Sequence, residues 1–354
     1  MSDSGTQATQ ARTIFPGHPA GLQTLFFTEM WERFSYYGMR ALLVLFMVSA
    51  IENGGMNLSD PVATAIYGIY SASVYPLTLP GGWIADRLLG AQRSIWYGGI
   101  VIMCGHFTLA IPSTYTFFLG LLLVATGTGL LKPNISAVVG ELYPPGDKRR
   151  DGGFTIFYMG INIGAFIGPL ICGFLAENEA FGWHWGFAAA GIGMLFGLIQ
   201  YRLSQSWLGS AGQHPSLDPL DPGLAASRRA GWRKVRIGVA LIALTFVIIA
   251  TGLWRPDPVA VARWTTGFIV TVAGLYFGLL FVVGGLNRDE KRKLTVIIVL
   301  FFASAMFWAG FEQAGSSLNL FAQRFTDRMI GGFEIPAAWL QSVNPILIVV
   351  LAPV

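Results

Sequence analysis

The sequence predicts an all-α polytopic membrane protein, on three observations. Hydrophobic residues make up 53% of the chain and charged residues only 12%, against about 25% charged residues in an ordinary soluble domain. The apolar residues are gathered into ten segments, most of them near the length that an α-helix needs to cross a bilayer. Charged residues lie mainly between these segments, and the first segment is the main exception.

The ten segments form a group of six, a pair and a final pair. They cover residues 22–50, 62–84, 94–111, 116–139, 154–175, 185–201, 235–253, 264–283, 294–321 and 337–354. Residues 203–232, between the sixth and seventh, are rich in Pro, Gly and Ser, which predicts a linker between domains. Residues 1–20 contain no apolar run, so we expect no signal peptide there.

The positions of lysine and arginine predict the orientation of the spans. If the chain starts in the cytoplasm, sixteen Lys and Arg residues fall on the cytoplasmic side and four on the other side. Positive residues are preferentially retained on the cytoplasmic side of a membrane. We therefore expect a multi-pass protein of the plasma membrane, in a bacterium the inner membrane, with a cytoplasmic N-terminus.

The first span carries a polar stripe. Its members are Glu29, Glu32, Arg33, Tyr36, Tyr37 and Arg40, and their spacing places all six on one helix face. Each charge near the bilayer centre costs about 2.5–3.5 kcal/mol, so the stripe cannot face lipid. Two interpretations remain. The charges form structural ion pairs, or they form a binding site whose carboxylates gain and lose protons, as proton-coupled transport requires.

Two other charged side chains lie deep within predicted spans, Lys132 and Glu312. Counting residues along the helices gives the depth of each charge in the membrane. We predict an inner cluster of Glu29, Glu32, Arg33 and Lys132, and an outer pair of Arg40 with Glu312. The outer pair is either a static brace or part of an outer gate.

Other residues of the spans are assigned to packing. Gly160, Gly164 and Gly168, four residues apart, predict a close contact between two helices. His106 is alone in the third span, and we expect polar packing there rather than a proton relay. Cys104 and Cys172 have apolar surroundings, which favours core packing over a metal site or a disulfide.

The charged stripe also resembles a known signature. Glu29-x-x-Glu32-Arg33-Phe34-x-Tyr36-Tyr37-Gly38 is similar to the first-helix signature of the proton-dependent oligopeptide transporter family, within the major facilitator superfamily. Residues 129–134, 157–164, 307–313 and 344–345 resemble other motifs of the family, in its order and on the expected helices. The weaker loop pattern Asp86-Arg87-x-x-Gly90 occurs across the superfamily. The resemblance extends from about residue 17 to the last residue.

The resemblance implies a major facilitator fold and a symporter that imports di- and tripeptides with protons by alternating access. The implied parts are a cytoplasmic segment at 1–20, an N-terminal six-helix bundle at 21–202, a cytoplasmic linker at 203–232, two inserted helices at 233–285, and the first two helices of a C-terminal bundle at 286–354. The family has twelve core helices, so we expect a truncated C-terminal bundle that does not alternate access alone. We expect a monomer in a lipid bilayer, no nucleic-acid partner, and no cofactor other than protons as the coupling ion.

The implied substrate suggests roles for the remaining polar residues. A dipeptide has charged ends at a fixed separation, so a site for many peptides should hold the ends and leave space between them. Arg33, Lys132 and Tyr37 suit the carboxylate end, Asn162, Glu312 and Asn344 suit the ammonium end, and the resemblance adds Tyr36, Tyr70 and Trp308 as pocket walls. Packing remains an alternative for the three aromatic residues, and interhelical hydrogen bonding for Asn162.

Proton coupling is predicted to use the inner cluster of Glu29, Glu32, Arg33 and Lys132. A proton taken up by either carboxylate weakens its hold on Arg33, so that the peptide carboxylate can compete for Arg33 and Lys132. The sequence leaves open which carboxylate carries the proton.

Other classes of function fit the sequence less well. The four histidines, His18, His106, His184 and His214, are scattered and form no hydrolase or metal constellation, so no enzyme is expected. A channel would show pore-lining repeats, which are absent. A related carrier of another small solute, such as nitrate or a conjugated metabolite, is the alternative, but Glu312 would be idle for a simple anion.

Overall fold

The computed structural model describes residues 13–213, 215 and 224–351, and this part is almost entirely helical. The helices are α1 Ala20–Val48, α2 Asp60–Ile84, α3 Ala91–Leu109, α4 Thr114–Glu141, α5 Arg149–Glu177, α6 Trp183–Ser204, α7 Leu224–Ala250, α8 Pro258–Val283, α9 Arg288–Phe311, α10 Ser317–Phe325 and α11 Val343–Leu351. Strands β1 Met329–Ile330 and β2 Phe333–Glu334 form one antiparallel hairpin. Five helical segments, starting with α4, α5, α6, α8 and α9, are long and apolar enough to cross a membrane. The predicted all-α class is confirmed.

Local chemistry fixes several helix ends. At α9, the Asn287 side chain accepts from the backbone N–H of Glu290, and the Glu290 side chain accepts from the N–H of Asn287. This reciprocal pairing satisfies donors that a helix start leaves free. Asp257 caps α8 in a similar way. Gly90, at φ +81°, makes the sharp turn between α2 and α3.

The backbones of α1 and α5 lie in direct contact. A Cβ on Gly164 would overlap the carbonyl oxygen of Met30, and one on Gly168 would overlap that of Phe34. The close helix contact predicted from the glycine spacing is therefore confirmed, with α1 as the partner. Cys172 is buried in the same contact beside Gly38. Cys104 is exposed on α3, so the prediction of core packing is wrong for this cysteine.

The ninth predicted span is interrupted. We expected one helix over 294–321, but α9 ends at Phe311 and Glu312–Gly315 form a 3-10 turn before α10. Gly315 explains the turn, since a Cβ there would overlap the hydroxyl of Tyr67 and lie 2.7 Å from Arg40 Nε. The span predicted at 337–354 likewise begins with a 3-10 turn, Ala337–Ser342.

The predicted linker at 203–232 is partly ordered structure. The helix α7 begins at Leu224 rather than near residue 235, and Gln205–Leu208 form a 3-10 turn. Residues 209–213 pack against the start of α3, where the Gln92 side chain donates to the carbonyls of Gly209 (3.2 Å) and Ala211 (2.7 Å). A tether alone would not make these contacts. The domain boundaries themselves remain a prediction.

Gln92→Ala is expected to lower the free energy of unfolding by about 1–3 kcal/mol, because two carbonyls would lose their donor in a largely buried site. Gln92 is only 4% exposed. The measurement is thermal unfolding in detergent micelles. The control is Thr266→Ala on α8, whose hydroxyl bonds only to Ala262 of its own helix. Equal melting temperatures for Gln92→Ala and the control would refute the packing role.

We call the end of the bundle where α1 ends and α2 begins the distal end, and the opposite end the proximal end. Polar contacts, the distal ties, join this end to the segment from α10 to α11. Arg324 binds both carboxylate oxygens of Asp60, at 2.6 and 2.9 Å. The Glu177 carboxylate accepts from the backbone N–H of Ala337 (2.9 Å) and Ala338 (3.1 Å). Further ties run from Asn319 Nδ2 to Ala41 O (2.8 Å), Trp339 Nε1 to Leu170 O (2.8 Å) and Ser342 Oγ to Phe166 O (2.7 Å).

Candidate functional site

The inner cluster forms as the helix counting predicts. Arg33 binds Glu32 through two nitrogens, with Nη2 at 2.5 Å from Oε1 and Nε paired with Oε2. Arg33 Nε also lies 3.5 Å from Glu29 Oε1. Lys132 reaches from α4 and forms an ion pair with the same oxygen of Glu29. Two carboxylates and two cations thus meet at the contact of α1 and α4.

Burial makes this cluster sensitive to any change of charge. Glu29 and Glu32 are fully buried, while the side chain of Lys132 is 28% exposed. The second carboxylate oxygen of Glu29, Oε2, has no hydrogen-bond partner among the described residues. Removing one partner of a buried pair leaves an uncompensated charge, which typically costs about 3–5 kcal/mol. A ligand that draws one cation away must therefore be matched by another positive charge, such as a proton.

The outer pair also forms. Arg40 Nη2 lies 3.2 Å from Glu312 Oε2, and Arg40 Nε donates to the hydroxyl of Tyr67 at 2.8 Å. Arg40 is buried, whereas Glu312 lies in the turn after α9 and is 36% exposed on its side chain. The sequence analysis missed Tyr67. A signal was present, since Tyr67, Tyr70 and Ser71 follow one another at helical spacing on α2.

Two tyrosines connect the inner cluster to the outer pair. The Arg33 guanidinium carbon lies 4.7 Å from the ring centroid of Tyr36 and 5.8 Å from that of Tyr37. The Arg40 guanidinium carbon lies 5.5 Å from the ring centroid of Tyr37. Cation–π contacts of this kind stabilise by about 0.5–2 kcal/mol. The stripe of α1 is therefore one continuous polar path between two ion-pair sites.

A cavity of about 870 Å³ opens beside the outer pair. Its wall includes Tyr36, Trp308 and Glu312, which the sequence analysis assigned to the site, and Tyr67, which it did not. Ile269 of α8 also contributes, so the pair of helices at 233–285 is not remote from the site. The volume is in the range of small-ligand sites. Polar groups at one end and apolar walls suit an amphiphilic solute.

Several predicted site residues lie elsewhere. Tyr70 is buried and is not in the wall of this cavity, because it lies one turn further along α2 toward the proximal end. Asn162 is buried and donates to Tyr158 O of its own helix at 2.9 Å. Asn344 is exposed on α11, which packs along α5. Within the described ranges, the structure does not bring Asn162, Glu312 and Asn344 into one pocket.

The chain matches known proteins over nearly its whole length. The model of the POT family, PTR2, matches residues 92–354. The peptide transporter YePEPT of Yersinia enterocolitica is 44% identical over 99% of this chain and 69% of the relative. The di-/tripeptide transporter of Lactococcus lactis subsp. cremoris is 40% identical over 97% of this chain and 69% of the relative. The crystal structure of the peptide transporter POT in complex with sulfate is 41% identical, with a TM-score of 0.84 over 97% of this chain and 68% of that chain.

These matches confirm the predicted fold class and the predicted class of protein. The fold is that of a solved transporter at an identity well above the level at which only folds can be compared. The family consists of multi-pass membrane transporters, which agrees with the apolar helices of this chain. The chain belongs to the POT family.

Proposed function

We propose that this protein is a proton-coupled symporter that imports di- and tripeptides by alternating access. The observation that carries the proposal is the buried cluster in which Lys132 and Arg33 share Glu29 while Glu32 holds Arg33. Such a cluster exchanges partners only if charge is balanced at each step. The names of the matched relatives, a peptide transporter and a di-/tripeptide transporter, support peptides as the substrate.

Arg33 and Lys132, with the hydroxyl of Tyr37, are proposed to hold the peptide carboxylate. Arg33 offers the planar pair of donors that suits a carboxylate, and Lys132 is the most exposed member of the cluster. A proton taken up by Glu32 or Glu29 would make the carboxylate neutral and free its cation. The peptide carboxylate then replaces the lost negative charge, so the cavity remains neutral overall.

Glu312 is proposed to hold the peptide ammonium group and to close the distal end with Arg40. These two roles exclude each other in time, since the carboxylate that faces the cavity also binds Arg40 at 3.2 Å. An arriving ammonium group would therefore compete with Arg40 and loosen the contact. Tyr36 and Trp308 would line the peptide side chains. Roles for Tyr70, Asn162 and Asn344 remain predictions.

The protein is further proposed to act as a monomer in the bacterial inner membrane, with its N-terminus in the cytoplasm. Lysine and arginine counts support this orientation. On this orientation the distal end faces outward and is closed by the distal ties.

The proposal is tested by uptake of labelled dialanine into proteoliposomes that contain the complete gene product. We expect a proton gradient to drive accumulation, and unlabelled dipeptides to compete while nitrate does not. Competition by nitrate but not by dipeptides would favour the other carrier class. Protein-free liposomes are the control, and accumulation without a proton gradient would reject symport.

Glu32→Gln is expected to lower proton-driven uptake by about a hundredfold and to leave peptide exchange down its own gradient nearly intact, because an amide cannot carry the proton. Both rates are measured in the same proteoliposomes. Glu52→Gln, which changes an exposed carboxylate at the distal end, is the matched control. Equal loss of both activities would support a structural ion pair instead.

A further inference from the structure

His106 on α3 is a buried titratable residue that the mechanism above does not use. Its side chain is fully buried, and neither ring nitrogen has a hydrogen-bond partner among the described residues. A neutral imidazole has one donor and one acceptor, and buried polar atoms are almost always paired. The polar packing expected from the sequence is therefore not what the structure shows. A different reason for a histidine at this position is required.

The depth of His106 in the bundle places it level with the inner cluster. Counted from the proximal ends of their helices, Glu32, Thr128, Tyr70 and His106 lie 12, 13, 14 and 15 residues inside α1, α4, α2 and α3. At 1.5 Å per residue, they lie within about 5 Å of one another along the bundle axis. Glu32 and His106 are also close enough to interact electrostatically across the contact of α1 and α3.

The same level of the bundle holds other unpaired polar atoms. The hydroxyls of Tyr70 and Thr128 are buried without a hydrogen-bond partner within the described part of the chain. Thr128 lies one turn from Lys132 on the same face of α4. Polar groups from α2, α3 and α4 thus surround the level of Glu32, and none is used by a static hydrogen bond of the protein. Such a region is suited to moving a proton rather than to holding helices together.

Glu32 is the charged group that acts on His106 from the helices packed around it. On α1, Glu32 is held by Arg33, and on α4, Lys132 acts on Glu32. On α2 the nearest titratable side chain at this level is Tyr70. On α6, Tyr201 lies far away, since it donates to Gln92 O at the start of α3. The charge that His106 meets therefore depends on whether Arg33 is bound to Glu32.

We propose that His106 is a further proton-handling residue, which takes up a proton from water and passes it to Glu32 when Arg33 leaves for the peptide carboxylate. The N–H bond of the imidazolium breaks, its electron pair stays on the ring nitrogen, and an O–H bond forms on the Glu32 carboxylate. The products are a neutral imidazole and a neutral carboxyl group. Imidazole suits this step because it gains and loses a proton near neutral pH. The inference rests on the proposed proton-coupled function.

The test compares His106→Gln with His184→Gln in the dialanine uptake assay, over a range of external pH. His184 is a matched control, because it lies at the distal start of α6 and packs on Phe46 with 5.8 Å between ring centroids. We expect His106→Gln to lower gradient-driven uptake about tenfold or more and to change its pH profile, with peptide exchange retained. His184→Gln should keep the profile of the unaltered protein. An unaltered profile in His106→Gln would overturn the proposal, whereas absence of coupling in the unaltered protein would reject the proposed function instead.

A second measurement holds even if His106→Gln does not fold. The protein, with ¹⁵N-labelled histidine, is titrated in micelles by NMR, and the ring signals of His106 are followed with and without Glu32→Gln. We expect the midpoint of the His106 titration to change when the Glu32 charge is removed, and the midpoint of His184 to stay the same. An unchanged His106 midpoint would overturn the proposal whatever the transport assay shows.

Discussion

Lys132→Ala is expected to abolish peptide uptake and to destabilise the folded protein by about 3–5 kcal/mol. Lys132 is paired with Glu29, which is fully buried and whose other oxygen has no partner among the described residues. Without the lysine, Arg33 alone would have to balance both carboxylates. Dialanine uptake and thermal unfolding in micelles give the two readouts.

A double variant separates the structural part of this effect from the functional part. Lys132→Ala combined with Glu29→Gln removes both charges of the pair and should recover most of the lost stability, because no buried charge is left unbalanced. Uptake should remain absent, since the proposed carboxylate-binding cation is still missing. Recovery of uptake together with stability would show that the pair serves only as a brace.

Gly164→Ala is expected to destabilise the protein by about 3 kcal/mol or more, the upper part of the range for overpacking a core. The added methyl group would overlap the backbone oxygen of Met30 and lie 2.8 Å from Phe34 N and 3.0 Å from Arg33 Cβ. Backbone atoms cannot rotate away, so α1 and α5 must separate, and Arg33 would move with α1. Uptake should fall in parallel with the melting temperature.

Gly278→Ala on α8 is the matched control for this substitution. A Cβ at Gly278 would meet no atom within 4 Å, so the change should be neutral or slightly stabilising through helix propensity. Similar melting temperatures for the two alanine variants would show that the α1–α5 contact is looser than described here.

The charged cluster could be predicted from sequence because two simple rules decide it. Charges in a membrane must be paired, and the depth of each charge follows from its position along a helix. These rules place Lys132 beside Glu29 and Arg40 beside Glu312, as the structure does. They say nothing of neutral groups, which is why Tyr67 was missed.

Features that depend on the lateral packing of helices could not be predicted. Asn344 was expected near Glu312, but α11 packs along α5 and leaves Asn344 exposed. The turn at Glu312 exists because Gly315 meets Tyr67 and Arg40, residues almost 250 positions or more away in the sequence. Residues 205–213 have the composition of a linker, yet their carbonyls bind Gln92. Contacts of this kind are tertiary and leave no local pattern.

The distal ties determine how easily the two halves of that end can separate. Nearly all of them are hydrogen bonds or ion pairs at the rim, and water can replace such bonds, so each stabilises by only about 1 kcal/mol. The hydrophobic side chains buried at this seam are mostly alanines, Ala322, Ala337 and Ala338, which expose little hydrocarbon when they part. Opening would therefore consist mainly of rehydration at nearly equal free energy, and a modest bias from a bound solute or a proton would suffice to change which form predominates.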